Sequence, residues 1–287
     1  MRRRALLAIA ASAMGWGMAA VGTRALFIQG TTTFTVIVLR TAVAALAVVT
    51  FLVFVRRPIS AQSWRRGLLI GAPRIGVAPI FYIASLNFVS AGFEGLIITL
   101  NPAITGVMAW VFLKERISKR MAVGLTIALA GAAILVTSGE SGIPEGGNVA
   151  IGTLLALGGV LVGSGTSVLS RRFAPEHRTG DLAGPMFVGG IATVTAASFF
   201  FGGVEPSTIT GEGWPILIAL GLFSTLLPFV GTLFASKYVP AATVALVAYV
   251  APLIAVVGGV VLLGEIVTPP VIIGGALTIA GVITASR

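Results

Sequence analysis

The apolar residues of this 287-residue chain fall into long runs that are separated by short polar segments. Each run is about 20 residues long, which is the length that a helix needs to cross a hydrocarbon core of roughly 30 Å. Inside lipid the backbone must satisfy its own hydrogen bonds, so each run is predicted to form a membrane-spanning helix. The ten predicted spans are 5–28, 33–55, 64–87, 91–113, 119–138, 149–170, 182–203, 214–236, 240–263 and 268–286.

The basic residues lie on one side of this predicted topology. Sixteen of the 19 Lys and Arg residues lie in loops, span ends or termini on the same side of the membrane as the N-terminus. The other three, Arg24, Arg40 and Arg74, lie within spans. Loops rich in Lys and Arg remain in the cytoplasm. We therefore expect a multi-pass membrane protein with cytoplasmic N- and C-termini.

The composition agrees with a membrane protein and argues against several other classes of protein. The chain is 56% hydrophobic and 10% charged, with a mean hydropathy of +1.04, whereas soluble domains carry about 25% charged residues. The net charge of +10 is interpreted as loop charge facing anionic lipids, so no nucleic-acid partner is expected. The chain has no Cys, which excludes disulfides and thiolate metal sites. Neither a metal nor a cofactor is expected.

The two halves of the chain match each other at an offset of 150 residues. The matched pairs include Trp64 with Trp214, Pro102 with Pro252, and Glu115 with Glu265. Each half, 1–139 and 149–287, holds five predicted helices, and an odd number inverts the second copy in the membrane. The predicted fold class is therefore an all-α integral membrane protein with ten transmembrane helices in two inverted five-helix repeats.

A short motif closes each half. Residues 113–118 (LKERIS) are followed by Gly124 and the pair Ala130-Gly131, and residues 263–268 (LGEIVT) are followed by Gly274 and Ala280-Gly281. This doubled motif resembles the signature of the EamA domain. The resemblance implies the drug/metabolite transporter superfamily, with ten helices in two inverted repeats. By general likeness the chain is also similar to bacterial aromatic amino-acid exporters of the YddG type.

Arg74 is the central candidate for substrate binding, because inverted-repeat transporters bind substrate near the bilayer midplane. A charge at this depth costs at least about 2.5–3.5 kcal/mol on insertion scales, so it should face a cavity or a partner. A guanidinium there could bind a substrate carboxylate. Alternatively, Arg74 could be structural, tied to backbone carbonyls that Pro73 and Pro79 leave without donors.

Asn101 and Glu94 lie on one face of the fourth span. Pro102 frees a backbone carbonyl beside Asn101, so this region could offer a ligand an acceptor, although a buried Asn often bonds a neighbouring helix instead. Glu94 is a candidate for proton coupling or gating. The alternative is an ion pair with Arg24 or Arg40.

Aromatic and small polar residues complete the predicted site. Mid-helix Trp, Tyr and Phe residues such as Phe81, Phe223 and Phe229 would form an apolar cavity, although core packing remains an alternative for each. The predicted substrate-binding set is Trp16, Arg74, Tyr82, Asn101, Ser164, Ser224 and Tyr249. The predicted helix hinges are Pro73, Pro79, Pro102, Pro228 and Pro252.

These expectations define a secondary transporter that acts by alternating access, as a monomer, on amino acids that include aromatic and hydrophobic ones. Its partners would be the small-molecule substrate and membrane lipids. A multidrug carrier or a carrier of another metabolite in the same superfamily is the alternative. A channel or a membrane-embedded enzyme is disfavoured, because the only histidine, His177, is predicted to be solvated in a charged loop and no phosphate-binding loop is present.

Overall fold

A computed structural model gives the architecture for residues 2–56, 58–98, 100–113, 119–138, 146–173, 176–235, 238, 247–264 and 266–286. Helices and short connections account for all of these residues, so the prediction of an all-α chain is confirmed over this part. The α-helices are α1 (Arg2–Ile28), α2 (Thr33–Val55), α3 (Ala61–Gly71), α4 (Ala78–Ser85), α5 (Ala91–Ile98), α6 (Asn101–Leu113), α7 (Lys119–Ser138), α8 (Val149–Phe173), α9 (Thr179–Phe200), α10 (Gly213–Ala219), α11 (Leu227–Ala235), α12 (Val247–Leu263) and α13 (Pro269–Ser286).

Among the residues that the structure describes, seven helical stretches are long and apolar enough to cross a membrane. They are Arg3–Ile28, Thr33–Phe54, Ala61–Ser85, Ala91–Phe112, Val149–Ser170, Thr179–Phe200 and Gly213–Ala235. Two shorter apolar helices cover Ile254–Leu263 and Ile272–Gly281. The outer surface carries large apolar side chains such as Phe54, Phe199 and Phe200, each more than four-fifths exposed. Such a surface is stable against lipid and unfavourable in water.

Two of the long stretches contain a π-helical turn. Ala72–Val77 joins α3 to α4, and Leu220–Leu226 joins α10 to α11. The first residues of the two turns are 148 positions apart in the sequence. π-Helical turns are rare and are frequent at functional sites.

The fourth predicted span contains an irregularity near its centre. Residues 91–113 were predicted as one helix with Asn101 at its centre, and one apolar span covers Ala91–Phe112, within which α5 ends at Ile98 and α6 begins at Asn101. Proline is unfavourable inside a helix and is tolerated in a first turn. Pro102 therefore explains why α6 begins where it does.

Close backbone contacts hold the helices together. Helix α3 packs on α9, α4 on α8, α1 on α11 and α12, and α7 along α13. A Cβ added at Gly71 in α3 would lie 2.1 Å from the carbonyl oxygen of Met186 in α9, so only glycine permits this approach. Small residues of this kind let helices in membranes pack closely.

The connection between α8 and α9 is bonded to the start of α3. Nδ1 of His177 lies 2.8 Å from Ser63 Oγ, and Nε2 of the same ring lies 2.8 Å from Arg66 Nη1. Arg66 also pairs with Glu176 and stacks over the Phe173 ring at 4.7 Å. The prediction that His177 is solvated is therefore wrong, because the fold places the start of α3 against the loop that contains His177.

Candidate functional site

Arg74 lies in the first π-helical turn and reaches two other helices. Its Nη1 donates to Ser167 Oγ in α8 at 3.0 Å, and its guanidinium carbon lies 5.4 Å from the centre of the Phe229 ring in α11. An arginine over an aromatic face is a cation–π contact. The side chain stays partly exposed although it lies in the middle of a helical stretch. The guanidinium thus contacts a hydroxyl and an aromatic ring.

An aromatic wall stands beside Arg74. Trp16 in α1 meets Phe229 edge-on with ring centroids 5.8 Å apart, and Phe187 in α9 meets Phe229 edge-on at 6.3 Å. Edge-to-face pairs at these distances are favourable. Phe187 is fully buried, whereas Trp16 and Phe229 are partly exposed. The accessible part of this wall therefore consists of Trp16 and Phe229.

Asn101 is fixed at the start of α6 by hydroxyl groups. Its Oδ1 accepts from Ser164 Oγ at 2.8 Å and from Thr105 Oγ1 at 3.3 Å. The Ser164 hydroxyl also lies 3.1 Å from the Asn101 carbonyl oxygen. In this arrangement Oδ1 is the acceptor for both hydroxyl groups. The amide nitrogen is consequently turned away from Ser164 and Thr105.

Tyr82 packs in α4 against a glycine face of α8. A Cβ added at Gly159 would lie 2.5 Å from the Tyr82 ring, so a larger residue there would displace the ring. A Cβ added at Gly163 would lie 3.1 Å from the Tyr82 hydroxyl and 3.3 Å from Asn101 Nδ2. The hydroxyl is buried and has no hydrogen-bond partner within the described part of the chain.

Four of the seven predicted substrate-binding residues thus contact α8 or belong to it: Arg74, Tyr82, Asn101 and Ser164. Trp16 is connected to Arg74 through the Phe229 ring. Sequence reasoning missed Ser167. Its spacing from Ser164, nearly one helical turn, places both hydroxyls on one face, and that spacing was available in the sequence.

Ser224 and Phe223 lie elsewhere. Ser224 is buried within the second π-helical turn, which packs on α1 and α2. Phe223 is 60% exposed, so its predicted place in the cavity is wrong. Its backbone carbonyl is the part that faces α1, because a Cβ at Gly15 would lie 2.1 Å from that oxygen. The side chain consequently points outward.

The predicted hinge prolines fall in different surroundings. Pro73 lies in the first π-helical turn and Pro79 follows it in α4. Pro228 follows the second turn and is buried next to Gly15, where a Cβ would lie 2.9 Å from its ring. The side chains of Tyr249, Pro102 and Pro252 lie outside the described residues, as do residues Glu115 and Glu265.

Glu94 and Arg40 form the second buried polar group. They are 3% and 7% exposed and close enough to interact electrostatically. Arg40 Nε also donates to Thr225 Oγ1 at 3.0 Å, in the second π-helical turn. Arg24, the other predicted partner of Glu94, donates to the Leu86 carbonyl oxygen at 3.3 Å.

Comparison with known proteins gives consistent matches. The model of the EamA-like transporter family matches residues 3–137 and again residues 150–287. The "uncharacterized transporter YyaM" of Bacillus subtilis (strain 168) is 24% identical over 222 residues, which are 74% of this chain and 71% of that protein. A "probable terminal-alkyne amino-acid exporter" of Streptantibioticus cattleyicolor is 27% identical over 250 residues, 87% of this chain and 82% of that protein. One crystal structure shares the fold, with a TM-score of 0.68 at 22% identity over 99% of this chain and 97% of that chain.

Proposed function

The chain belongs to the EamA-like transporter family, and on that premise we propose that it exports small amino acids, including aromatic and hydrophobic ones. The export would cross a bacterial inner membrane by alternating access through a central site. The chain carries no phosphate-binding loop in its sequence, so the transport is proposed to be secondary. The exporter among the relatives supports an amino-acid substrate.

The observation that carries this proposal is the placement of Arg74 beside an accessible aromatic wall. The guanidinium lies over Phe229, which in turn packs on Trp16. A zwitterionic amino acid needs a cation for its carboxylate and an apolar surface for its side chain. The group offers both within one region, and apolar surfaces with few polar anchors are typical of small-molecule sites.

We further propose ten transmembrane helices in two inverted repeats, 1–139 and 149–287. Two findings support this architecture: the family model matches the chain twice, and the two π-helical turns recur 148 residues apart. The distribution of Lys and Arg supports cytoplasmic termini. We propose that one chain is sufficient for transport.

Alternating access requires helices that can bend. We propose that bending occurs at the two π-helical turns, where Pro73, Pro79 and Pro228 weaken regular helical bonding, and at Pro102 and Pro252. The Arg40–Glu94 pair bonds to the second turn through Thr225. We propose that Glu94 contributes to gating through this hydrogen bond, because a change in the interaction of Glu94 with Arg40 would alter the contact between Arg40 and the second turn.

Counterflow in liposomes tests the proposed function. Liposomes that contain the purified protein are loaded with unlabelled phenylalanine and diluted into radiolabelled phenylalanine. A carrier accumulates label faster when substrate is present on the inside, whereas a channel shows no such stimulation. Protein-free liposomes are the control. If a quaternary-ammonium drug or a sugar is exchanged and no amino acid is, the amino-acid assignment fails.

A further inference from the structure

The partners of His177, in the connection between α8 and α9, determine which of its ring nitrogens carries the proton. Arg66 Nη1 lies 2.8 Å from Nε2 of the ring, and a guanidinium has donors and no acceptor. Nε2 must therefore accept this hydrogen bond, so it carries no proton. The proton of the neutral ring is consequently assigned to Nδ1, which donates to Ser63 Oγ at 2.8 Å.

The hydrogen bonds around this pair agree with that tautomer. Ser63 Oγ accepts from His177 and can donate to Ser60 Oγ, which lies 2.9 Å away. Ser60 Oγ also accepts from the backbone N–H of Ser63 at 3.1 Å, at the start of α3. Arg66 Nη1 carries two N–H groups, so it can donate to both His177 and Glu176. The neutral ring thus joins α3 to the connection between α8 and α9.

A second proton on the imidazole would disrupt this contact. The proton would bind at Nε2, where it would face an N–H of Arg66, and a doubly protonated ring has no acceptor left. Two cations would also lie side by side. Histidine is the side chain that ordinarily changes its charge between pH 5 and 8. The contact is therefore expected to form with the neutral ring and to be lost as the pH falls.

The charged groups around His177 come from every element that meets it. They are Arg66 on α3, Glu176 and Arg178 beside it in the connection, Arg172 near the end of α8, and Asp181 in the first turn of α9. The acidic groups favour a charged imidazole and the arginines disfavour it. The carboxylate of Glu176 already pairs with Arg66. If it turned towards a charged His177 instead, Arg66 would lose that partner as well, so both responses release the start of α3.

The other half of the chain forms the matching contact with uncharged groups. The offset of 148 residues between the two π-helical turns also relates Gln29, after α1, to His177, after α8. The offset of 150 residues relates Thr210, before α10, to Ser60, before α3. Thr210 Oγ1 donates to Gln29 Oε1 at 3.0 Å. Glutamine therefore occupies the position that corresponds to the histidine, and its amide does not titrate.

The two contacts lie at opposite ends of the fold. Helix α2, which is 23 residues long, spans roughly 34 Å and separates the connection that contains Gln29 from the one that contains Ser60. At the Gln29 end, Thr31 Oγ1 also donates to the Thr208 carbonyl oxygen at 3.3 Å. The hydrogen bonds described at this end thus use amide, hydroxyl and backbone groups, none of which changes its charge near neutral pH.

We propose that His177 is a proton-sensitive switch that acts on one face of the protein. The neutral ring holds α3 against the connection between α8 and α9, and protonation releases the start of α3. Arg74 follows Arg66 by eight residues, roughly 12 Å along the same helical stretch. A change at the start of α3 is therefore transmitted to the π-helical turn that carries Arg74.

The switch makes the response to acid one-sided, whichever substrate is carried. Acid on the His177 side, which the proposed topology places in the cytoplasm, breaks the contact that includes His177. Acid on the opposite side leaves the contact between Gln29 and Thr210 intact. Glu176 does not account for such a response, because Arg66 holds the pKa of its carboxyl below the ordinary value, and the carboxylate keeps its charge at mildly acidic pH.

Hydrogen–deuterium exchange of the purified full-length protein in detergent tests this inference at pH 8 and pH 5.5. The rates of the backbone amides of residues 64–68 are divided by their intrinsic rates at each pH. In the wild type these corrected rates should be at least about tenfold higher at pH 5.5, as expected for the loss of one hydrogen bond to a charged group. The amides of residues 214–218, at the start of α10, should show no such increase.

His177→Gln is the matched variant, because it introduces the residue that the Gln29 contact uses. Its corrected exchange at the start of α3 should be the same at both pH values. Arg66→Met is the second variant, and it removes the donor that requires an unprotonated Nε2. Its amides at the start of α3 should exchange rapidly at both pH values.

An increase in acid that persists in His177→Gln would overturn the inference, and so would a wild type whose α3 amides do not respond to pH. An equal increase at the start of α10 would indicate general loosening of the fold and would overturn it too. If His177→Gln does not fold, an Arg66→Met variant that keeps the wild-type response has the same consequence. Exchange is measured without substrate, so a failure of the proposed amino-acid export would leave this result unaffected.

Discussion

Arg40 in α2 and Glu94 in α5 bring opposite charges into one buried region, where they are 7% and 3% exposed. An isolated charge is highly unfavourable in such surroundings, and a partner of opposite sign lowers that free energy. Arg40 is also fixed by its hydrogen bond to Thr225. The pair therefore connects α2, α5 and the second π-helical turn.

Breaking this pair should destabilise the protein more than removing it. Glu94→Gln removes the carboxyl that interacts electrostatically with Arg40, and a lower unfolding free energy is expected. The double variant Arg40→Leu/Glu94→Leu should recover much of that loss, because no buried charge remains. Denaturation of the four proteins of the double-mutant cycle measures the coupling. A Glu94→Gln variant as stable as wild type, but unable to use a proton gradient, would instead identify Glu94 as a coupling residue.

Removing the central cation should affect substrates according to their charge. Arg74→Ala is expected to lose most counterflow of phenylalanine, with a smaller effect on phenylalaninol, because only the former offers a carboxylate. Arg74→Lys should restore transport in part, since an ammonium lacks the planar fork of a guanidinium. Ser167→Ala, which removes only the hydrogen-bond partner of Arg74, is the control. Equal losses for both substrates would indicate a structural role for Arg74.

The contact between α3 and α9 predicts a large difference between two glycines. A Cβ at Gly71 would lie 2.1 Å from the carbonyl oxygen of Met186 and 2.3 Å from its Cα. These are backbone atoms, which cannot relieve the clash by changing a side-chain rotamer. Gly71→Ala should therefore destabilise by at least about 1–3 kcal/mol and reduce transport through the adjacent turn that holds Arg74.

Gly180→Ala is the corresponding control within α9. No heavy atom lies within 4 Å of the added Cβ, so alanine should stabilise the helix by about 0.5–1 kcal/mol. Unfolding midpoints of the two variants check the comparison. Similar midpoints for both would contradict the close approach of α3 and α9.

The ion pair at the start of α3 predicts how stability responds to acid. The hydrogen bond and charge of Arg66 hold the pKa of Glu176 below its ordinary value. A lowered pKa means that the pair stabilises the fold above the unfolded value of about 4.3 and that this contribution is lost as pH falls through the folded value. Glu176→Gln should thus unfold at a lower temperature than wild type near pH 7.

The difference between Glu176→Gln and wild type should disappear only below about pH 4. Glu212→Gln, at an exposed glutamate outside any ion pair of the described residues, should show little difference at any pH. A difference between Glu176→Gln and wild type that vanishes well above pH 5 would contradict the lowered pKa. Because the pair is exposed, its effect at neutral pH is expected to be small.

Hydrophobic runs predict where helices lie along this chain, because lipid imposes one requirement on every residue of a span. The depth of a residue in the membrane follows from its position in the hydrophobic run. This position identifies Trp16, Arg74 and Asn101 as residues near the middle of their predicted spans. Rotation about the helix axis does not follow, since a π-helical turn changes it locally. Phe223 lies in such a turn and faces outward.

Contacts between segments that are far apart in the sequence could not be predicted from the sequence either. His177 was predicted to be solvated because its neighbours in the chain are charged, yet it bonds Ser63, which is 114 residues away. Nothing in local composition identifies such a partner. The close contact of the Tyr82 ring with Gly159 in α8 is a similar case, because the two residues are distant in the sequence.

The proposed topology can be tested by single cysteines, because the chain contains no Cys. Ser207 is exposed in the connection after α9 and is proposed to lie outside, so Ser207→Cys should react with an impermeant thiol reagent in intact cells. Ser63 and Ser141 are the other positions that the sequence suggests. Ser63 is 3% exposed and bonded to His177, so its protection would not report the side of the membrane, and Ser141 lies outside the described residues.

Gln62 is the better position on the proposed cytoplasmic side, since its side chain is exposed next to Ser63. Gln62→Cys should be protected in intact cells and should react once the membrane is permeabilised. Reaction of Gln62→Cys in intact cells, together with protection of Ser207→Cys, would reverse the orientation. Reaction of both in intact cells would place both on the outside and change the number of crossings between them, because positions on opposite sides require an odd number of spans.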